Sequence, residues 1–115
     1  MKKVYYLSTC TTCSRIMEDL DLSDFILQDI KYKPVTRSQI ESMYALSSSY
    51  EALFSKRAQK YKSMNLKDNK LKEKDFKELI LQEYTFLKRP VFILDKDIFV
   101  GNSKENIRVL KDTLS

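Results

Sequence analysis

The only two cysteines of this chain, Cys10 and Cys13, stand three residues apart in the stretch LSTCTTCSR. Such a pair serves as a metal clip, as a structural element or as a reactive thiol with its partner. A closed zinc site needs four ligands, and a chain with two cysteines and no histidine offers only half of them. We therefore expect no metal site here.

The phase of the following helix separates the two remaining roles. Cys13 falls on the apolar stripe of a helix that begins at Thr11, whereas Cys10 lies just before it, among serine and threonine residues. Cys13 alone would fit a small buried hydrophobic residue, but Cys10 would not. A thiol at a helix N-terminus loses its proton more easily. The pattern therefore favours redox chemistry, with Cys10 attacking and Cys13 resolving.

Composition restricts the class of protein. A chain of 115 residues is long enough for one domain, which we expect to span 1–115. The apolar stretch after Met1 is too short for an export leader, and no segment has the length of a membrane span, so we expect a cytoplasmic protein without membrane contact. The net charge of +5 is concentrated in a lysine-rich run at 56–77. Interleaved acidic residues favour a solvated helical face, so no direct nucleic-acid binding is expected.

The order of elements predicts the fold. Strand patterns at 3–7 and 25–30 flank the cysteine helix, and a late hairpin of VFIL and DIFVG precedes a last helix capped by Ser103. Between these halves, Thr36 opens a helix with capping-box spacing, SSSYEALF is expected to open another helix, and LKEKDFKELILQEY is amphipathic through Tyr84. This predicts an α/β, thioredoxin-like βαβ…ββα fold with a four-stranded mixed sheet and a helical insertion at approximately 36–84.

Three blocks of the sequence resemble the ArsC/Spx family, which comprises glutaredoxin-type arsenate reductases, Spx transcriptional regulators and related reductase-like proteins. The blocks are VYYLSTCTTCSR, ALFSKRAQKYKSM and LKRPVFILDKDIFVG, and the third is the most specific. With the matching length and order of elements, they extend the resemblance over nearly the whole chain.

The resemblance implies roles for individual residues. Cys10 matches the reactive cysteine of the family, and Arg89 matches the arginine that helps to bind an oxyanion in the reductases. Pro90 would be the cis-proline that faces the cysteine in thioredoxin folds. Arg57 resembles the arginine of the middle block, with Lys56 as its rival because the register is uncertain by a residue or two.

The chain departs from both branches of the family. It lacks the histidine that precedes the cysteine of the arsenate reductases, and the position of their third oxyanion-binding arginine falls on the uncharged VGN. Cys13 is a feature shared with Spx, but the insertion lacks the glycine-bearing segment associated in Spx with contact to RNA polymerase. The tail common in Spx beyond the last helix is also missing from this sequence.

Three functions remain open. The first is an arsenate reductase-like thiol oxidoreductase acting on a small oxyanion or a disulfide, without a bound cofactor, reduced by glutathione and glutaredoxin or by thioredoxin as redox partner. The alternative is an Spx-like redox-sensing regulator that binds the RNA polymerase α-subunit. The third is a binding module whose cysteines are incidental. The resemblance favours the first, with Cys10 and Cys13 as the catalytic pair and Arg89, Pro90 and Arg57 at the substrate.

Overall fold

The computed structural model describes residues 1–114, and its sheet is built around the N-terminal strand. This strand, β1 (Lys2–Tyr6), pairs in parallel with β2 (Ile26–Asp29) and antiparallel with β3 (Val91–Leu94). The last strand, β4 (Asp97–Val100), pairs antiparallel with β3, so the order is β2-β1-β3-β4. The predicted four-stranded mixed sheet, with a parallel first pair and a late hairpin, is confirmed.

Two helices complete the first of two compact units, which comprises 1–33 and the chain from Arg89 onward. Helix α1 (Thr11–Glu18) links β1 to β2, and a second helix (Lys104–Leu114) follows β4. The Ser103 hydroxyl accepts a hydrogen bond from the Asn106 N–H at 3.1 Å, as the sequence predicts. The core of this unit joins the sheet to both helices through Val4, Phe92, Leu94, Phe99 and Leu110, with Ile16, Met17 and Ile107 packed against them.

The second unit, Pro34–Lys88, is helical. It contains α2 (Arg37–Ser47), α3 (Gln59–Ser63) and α4 (Glu73–Gln82), so that the C-terminal helix Lys104–Leu114 is α5. Its aromatic core centres on Phe54, whose ring centroid lies 4.9 Å from those of Phe76 and Phe86 and 5.9 Å from that of Tyr61. The predicted insertion, 36–84, falls inside this unit.

Two helix predictions in the second unit are wrong in extent. SSSYEALF forms only a 3-10 turn at Glu51–Leu53, although the Ser49 hydroxyl does accept a hydrogen bond from the Ala52 N–H. The chain then leaves the helix because Phe54 pairs as a β-bridge with Leu87. The amphipathic helix ends at Gln82 rather than reaching Tyr84, which begins a further 3-10 turn. At Phe54, pairing between distant segments outweighs local helix propensity.

The start of α2 has the predicted capping box. The Thr36 hydroxyl accepts from the Gln39 N–H at 3.1 Å, and the Gln39 side chain accepts from the Thr36 N–H at 3.0 Å. We expect Thr36→Ala to lower the free energy of unfolding by about 1 kcal/mol, because one N–H of the first turn loses its acceptor. Urea denaturation measures this loss, and Ser42→Ala, within the same helix, is the control. An equal loss in both variants would mean that the Thr36 cap adds nothing specific to the free energy of unfolding.

None of the helices within residues 1–114 combines the length and the apolar character needed to cross a membrane.

Candidate functional site

Cys10 lies where the sequence predicts it, at the N-cap of α1. A turn brings the chain from β1 to the helix: the Cys10 N–H donates to the Leu7 carbonyl at 3.0 Å. The Cys10 carbonyl in turn accepts from the Ser14 N–H at 3.2 Å. The Cys10 backbone is extended, at φ −93° and ψ 110°, so the thiol stands at the open end of the helix. Cys10 is half-buried, and both cysteines are free thiols.

A carboxylate at the end of β2 holds the turn in front of Cys10. Asp29 Oδ1 accepts from the Ser8 N–H at 3.3 Å and from the Lys31 N–H at 3.2 Å. Desolvation raises the pKa of Asp29, but the hydrogen bonds from Ser8 and Lys31 outweigh it and lower the pKa overall. Sequence reasoning missed this residue. The available signal was an acidic side chain at the carboxyl end of a strand parallel to β1, since such ends meet at one edge of the sheet.

The surroundings of Cys10 favour its thiolate. Burial raises the pKa of the Cys10 thiol, but the N–H and side chain of Cys13, the charge of Arg89 and the Thr12 N–H outweigh burial, and the pKa is lowered. The first-turn N–H groups of Thr12 and Cys13 are therefore placed to stabilise the anion once it forms. Cys10 has the electrostatic environment of a reactive thiol.

Cys13 has the opposite environment. Its side chain is fully buried, and desolvation raises the pKa of the Cys13 thiol to about 12. The hydrogen bond to Cys10 and the negative charge of Cys10 also contribute to this rise, whereas a backbone hydrogen bond from Leu7 and the charge of Arg89 act against it. The two thiols therefore differ strongly in acidity while lying within hydrogen-bond reach of one another.

Arg89 brings a cation to the cysteines, and Pro90 follows it in the chain. Arg89 is half-buried with its Nε atom buried, and its charge acts on both thiols. The Arg89–Pro90 peptide bond is cis, the conformation that the resemblance implies. The Pro90 carbonyl accepts from the Gly101 N–H at 2.9 Å, which ties the start of β3 to the end of β4.

The remaining basic candidates are exposed. Arg57 lies in the second unit with its side chain in solvent, and its role stays a prediction. Its rival Lys56 forms an ion pair with Glu51, with 2.8 Å between Nζ and Oε2. Arg15, on α1, is exposed. The structure thus brings Cys10, Cys13 and Arg89 together in the first unit, and Pro90 follows Arg89 directly in the chain.

Removing the charge of Arg89 tests its influence on Cys10. We expect Arg89→Met to slow alkylation of Cys10 at pH 7 by roughly three- to tenfold, because loss of a nearby cation raises the thiol pKa by a fraction of a unit to one unit. Iodoacetamide labelling followed by peptide mass spectrometry measures the rate at Cys10 alone. Arg89→Lys should retain most of the rate, and Arg15→Met should not change it. Equal slowing by Arg15→Met would contradict a specific role for Arg89.

The arrangement suits nucleophilic and redox chemistry. A thiolate at a helix N-terminus, beside a cation, can attack an electrophile and share its N–H donors with an anionic substrate. Within residues 1–114, no three histidine, cysteine or acidic side chains converge as metal ligands would.

Sequence and structure comparisons show which proteins this chain resembles. The chain is 24% identical over 108 residues to the global transcriptional regulator Spx of Lactiplantibacillus plantarum, covering 91% of this chain and 82% of that protein. Its fold matches that of an ArsC-family related protein from Bacteroides fragilis with a TM-score of 0.78 at 18% identity, covering 95% and 97% of the two chains. It matches arsenate reductase from Vibrio cholerae with a TM-score of 0.73 at 17% identity, covering 96% and 95%.

The ArsC family itself matches this chain over residues 5–110, a range that includes both cysteines, Arg89 and Pro90. Because this match spans nearly the whole sequence, the protein belongs to the ArsC family.

Proposed function

We propose that this protein is a thiol oxidoreductase of the arsenate reductase type, with Cys10 as nucleophile. The observation that carries the proposal is the difference between the two thiols: the pKa of Cys10 is lowered, whereas that of Cys13 is raised to about 12. An attacking thiol needs the thiolate form near neutral pH, and a resolving thiol need only become reactive after the first step.

The first step joins Cys10 to its substrate. With a disulfide, Cys10 Sγ attacks one sulfur, a mixed disulfide forms, and the other sulfur leaves as a thiolate. With arsenate, Sγ bonds to arsenic and one oxygen leaves as water after accepting protons. The Arg89 charge beside Cys10 and the N–H groups of Thr12 and Cys13 stabilise the anionic group bound there.

The second step uses Cys13 or a small thiol such as glutathione. Attack on Cys10 Sγ forms a new disulfide and releases the substrate sulfur as a thiolate, or releases arsenite, in which arsenic has accepted the two electrons. Covalent engagement of Cys10 removes its negative charge, one of the causes of the raised Cys13 pKa, so Cys13 loses its proton more easily after the first step. Glutathione with glutaredoxin, or thioredoxin, then restores both thiols, consistent with work in a reducing cytoplasm.

Arsenate-dependent thiol oxidation tests the proposal directly. The reduced protein is incubated with arsenate and, in parallel, with a small disulfide, using either glutathione and glutaredoxin or thioredoxin and its reductase as donor. We expect NADPH consumption that depends on Cys10 with at least one substrate and donor. Turnover unaffected by Cys10→Ser, or no turnover with any combination, would overturn the enzymatic proposal.

The second candidate is a redox-sensing regulator of the Spx type, favoured by the sequence matches to Spx proteins of L. plantarum and Bacillus cereus. In this function, formation of a Cys10–Cys13 disulfide alters affinity for the RNA polymerase α-subunit, with the exposed basic residues of 56–77 as the contact surface. A pull-down with purified α-subunit, using reduced and diamide-oxidised protein, tests it. Absence of binding in both redox states would exclude it.

A further inference from the structure

The outer side of β2 is an open strand edge. This strand ends the sheet order β2-β1-β3-β4, and within residues 1–114 no strand pairs with its outer side. Two consecutive aliphatic side chains lie exposed on it, Ile26 at 57% and Leu27 at 49% of their full accessible surface. An exposed edge with apolar side chains is a template for pairing with another strand.

The backbone groups on this edge can be identified from the inner ladder. The Ile30 N–H donates to the Tyr6 carbonyl at 2.9 Å, so Ile30 turns its backbone groups toward β1. Because successive residues of a strand alternate, the backbone groups of Gln28 also face β1, whereas those of Leu27 and Asp29 face away from the sheet. The Asp29 carbonyl is already engaged by the N–H groups of Tyr32 and Lys33.

A similar alternation holds at the start of the strand. The Phe25 N–H donates to the Leu22 carbonyl at 3.0 Å, and its own carbonyl, in phase with Leu27, points outward. The outward edge therefore offers the N–H and C=O of Leu27, the N–H of Asp29 and the C=O of Phe25. This set is self-complementary about a twofold axis at Leu27.

Charge along the edge is also self-complementary. The approach to β2 is acidic, through Asp21 and Asp24, and its exit is basic, through Lys31 and Lys33. All four side chains are exposed. Antiparallel pairing of two copies sets the acidic end of each edge against the basic end of the other, whereas parallel pairing would set like charges together.

We propose that a second copy of this chain pairs with β2 in antiparallel fashion, with Leu27 opposite Leu27 of the second copy. In this register, the two Leu27 residues exchange both backbone hydrogen bonds, and each Asp29 N–H donates to the Phe25 carbonyl of the other copy. Asp24 then lies opposite Ile30 of the second copy, one residue from its Lys31. The two sheets join into one continuous sheet of eight strands.

Such a dimer is weak and reversible. Pairing of two four-residue strands buries less than the roughly 1,000 Å² expected of a stable interface, so association depends on protein concentration. It also depends on salt, because the opposite charges that meet at its ends are exposed to solvent. The proposal does not rest on the thiol chemistry, and neither redox state nor Cys10→Ser should alter it.

Sedimentation velocity of the full chain over a wide concentration range tests the dimer at low and high salt. We expect a concentration-dependent shift toward dimer that high salt reduces. Leu27→Lys places like charges on the twofold axis and should weaken association at least about tenfold, whereas Val109→Lys, which changes an exposed aliphatic side chain on α5, should not. A monomer at all concentrations, or equal weakening by both variants, would overturn the proposal.

Three further variants locate the contact. Proline is tolerated on an edge strand where its missing N–H faces outward, so Leu27→Pro removes two intermolecular donors; we expect about tenfold weaker association with unchanged circular dichroism. If Leu27→Pro fails to fold, Leu27→Lys and the two variants below test the contact instead. Asp24→Lys and Lys31→Glu should each weaken self-association, and their equimolar mixture should restore it. An unrestored mixture would contradict the antiparallel register.

Discussion

Cys10→Ser is expected to lower thiol-dependent reduction by at least about 1,000-fold, because a serine hydroxyl is not ionised near neutral pH and forms no disulfide. Cys10 is the half-buried thiol of the pair, stands at the N-cap of α1 and has a lowered pKa. Initial rates with disulfide and arsenate, measured with saturating donor, give the loss. The fold should persist, since serine is close to cysteine in size and this position lies outside the core.

Cys13→Ser is the matched control for this variant. In this variant Cys10 should still attack the substrate, because it retains Arg89 and the backbone N–H groups of α1 as neighbours. A mixed disulfide between Cys10 and the substrate should then accumulate and be visible by intact mass, unless an added small thiol resolves it. Accumulation of the same adduct in Cys10→Ser would assign the attacking role to Cys13 and contradict the mechanism.

Phe54→Ala is expected to lower the free energy of unfolding by about 3–5 kcal/mol. The Phe54 ring is 1% exposed and contacts the rings of Tyr61, Phe76 and Phe86. Truncation removes these contacts and leaves a cavity that the surrounding rings cannot fill without moving. Urea denaturation followed by circular dichroism measures the change.

Tyr44→Ala serves as the comparison. Tyr44 also stacks on an aromatic ring, with its centroid 4.4 Å from that of Tyr50, but it is exposed. We expect Tyr44→Ala to lower the free energy of unfolding by no more than about 1.5 kcal/mol. Losses of similar size in both variants would mean that the Phe54 cluster is not the centre of the second unit.

Local patterns in the sequence predicted most of the first unit. Short runs of β-branched, aromatic and aliphatic residues identified the strands, and a period of 3.6 residues placed Cys13 on the buried side of α1 and left Cys10 at its start. These signals are reliable here because each depends on neighbours within one or two turns. The capping side chains Thr36 and Ser103 were found for the same reason.

Features that depend on distant segments were not accessible in this way. Helix propensity predicted a longer helix after Ser49, whereas the bridge from Phe54 to Leu87 ends the helical turn at Leu53. The contact of Asp29 with the turn before Cys10 requires the parallel register of β1 and β2, which composition does not specify. The influence of Arg89 on the cysteines was expected from the family resemblance alone, since some eighty residues separate them in sequence.

The unequal acidity of the two thiols is the central claim, and a pH series of alkylation rates tests it most directly. Reduced protein is pulsed with iodoacetamide between pH 5 and pH 10, and labelling at Cys10 and Cys13 is quantified separately by peptide mass spectrometry. We expect Cys10 to react with a midpoint below that of an ordinary cysteine and Cys13 to stay unlabelled over the range. Equal midpoints, or earlier labelling of Cys13, would contradict the account.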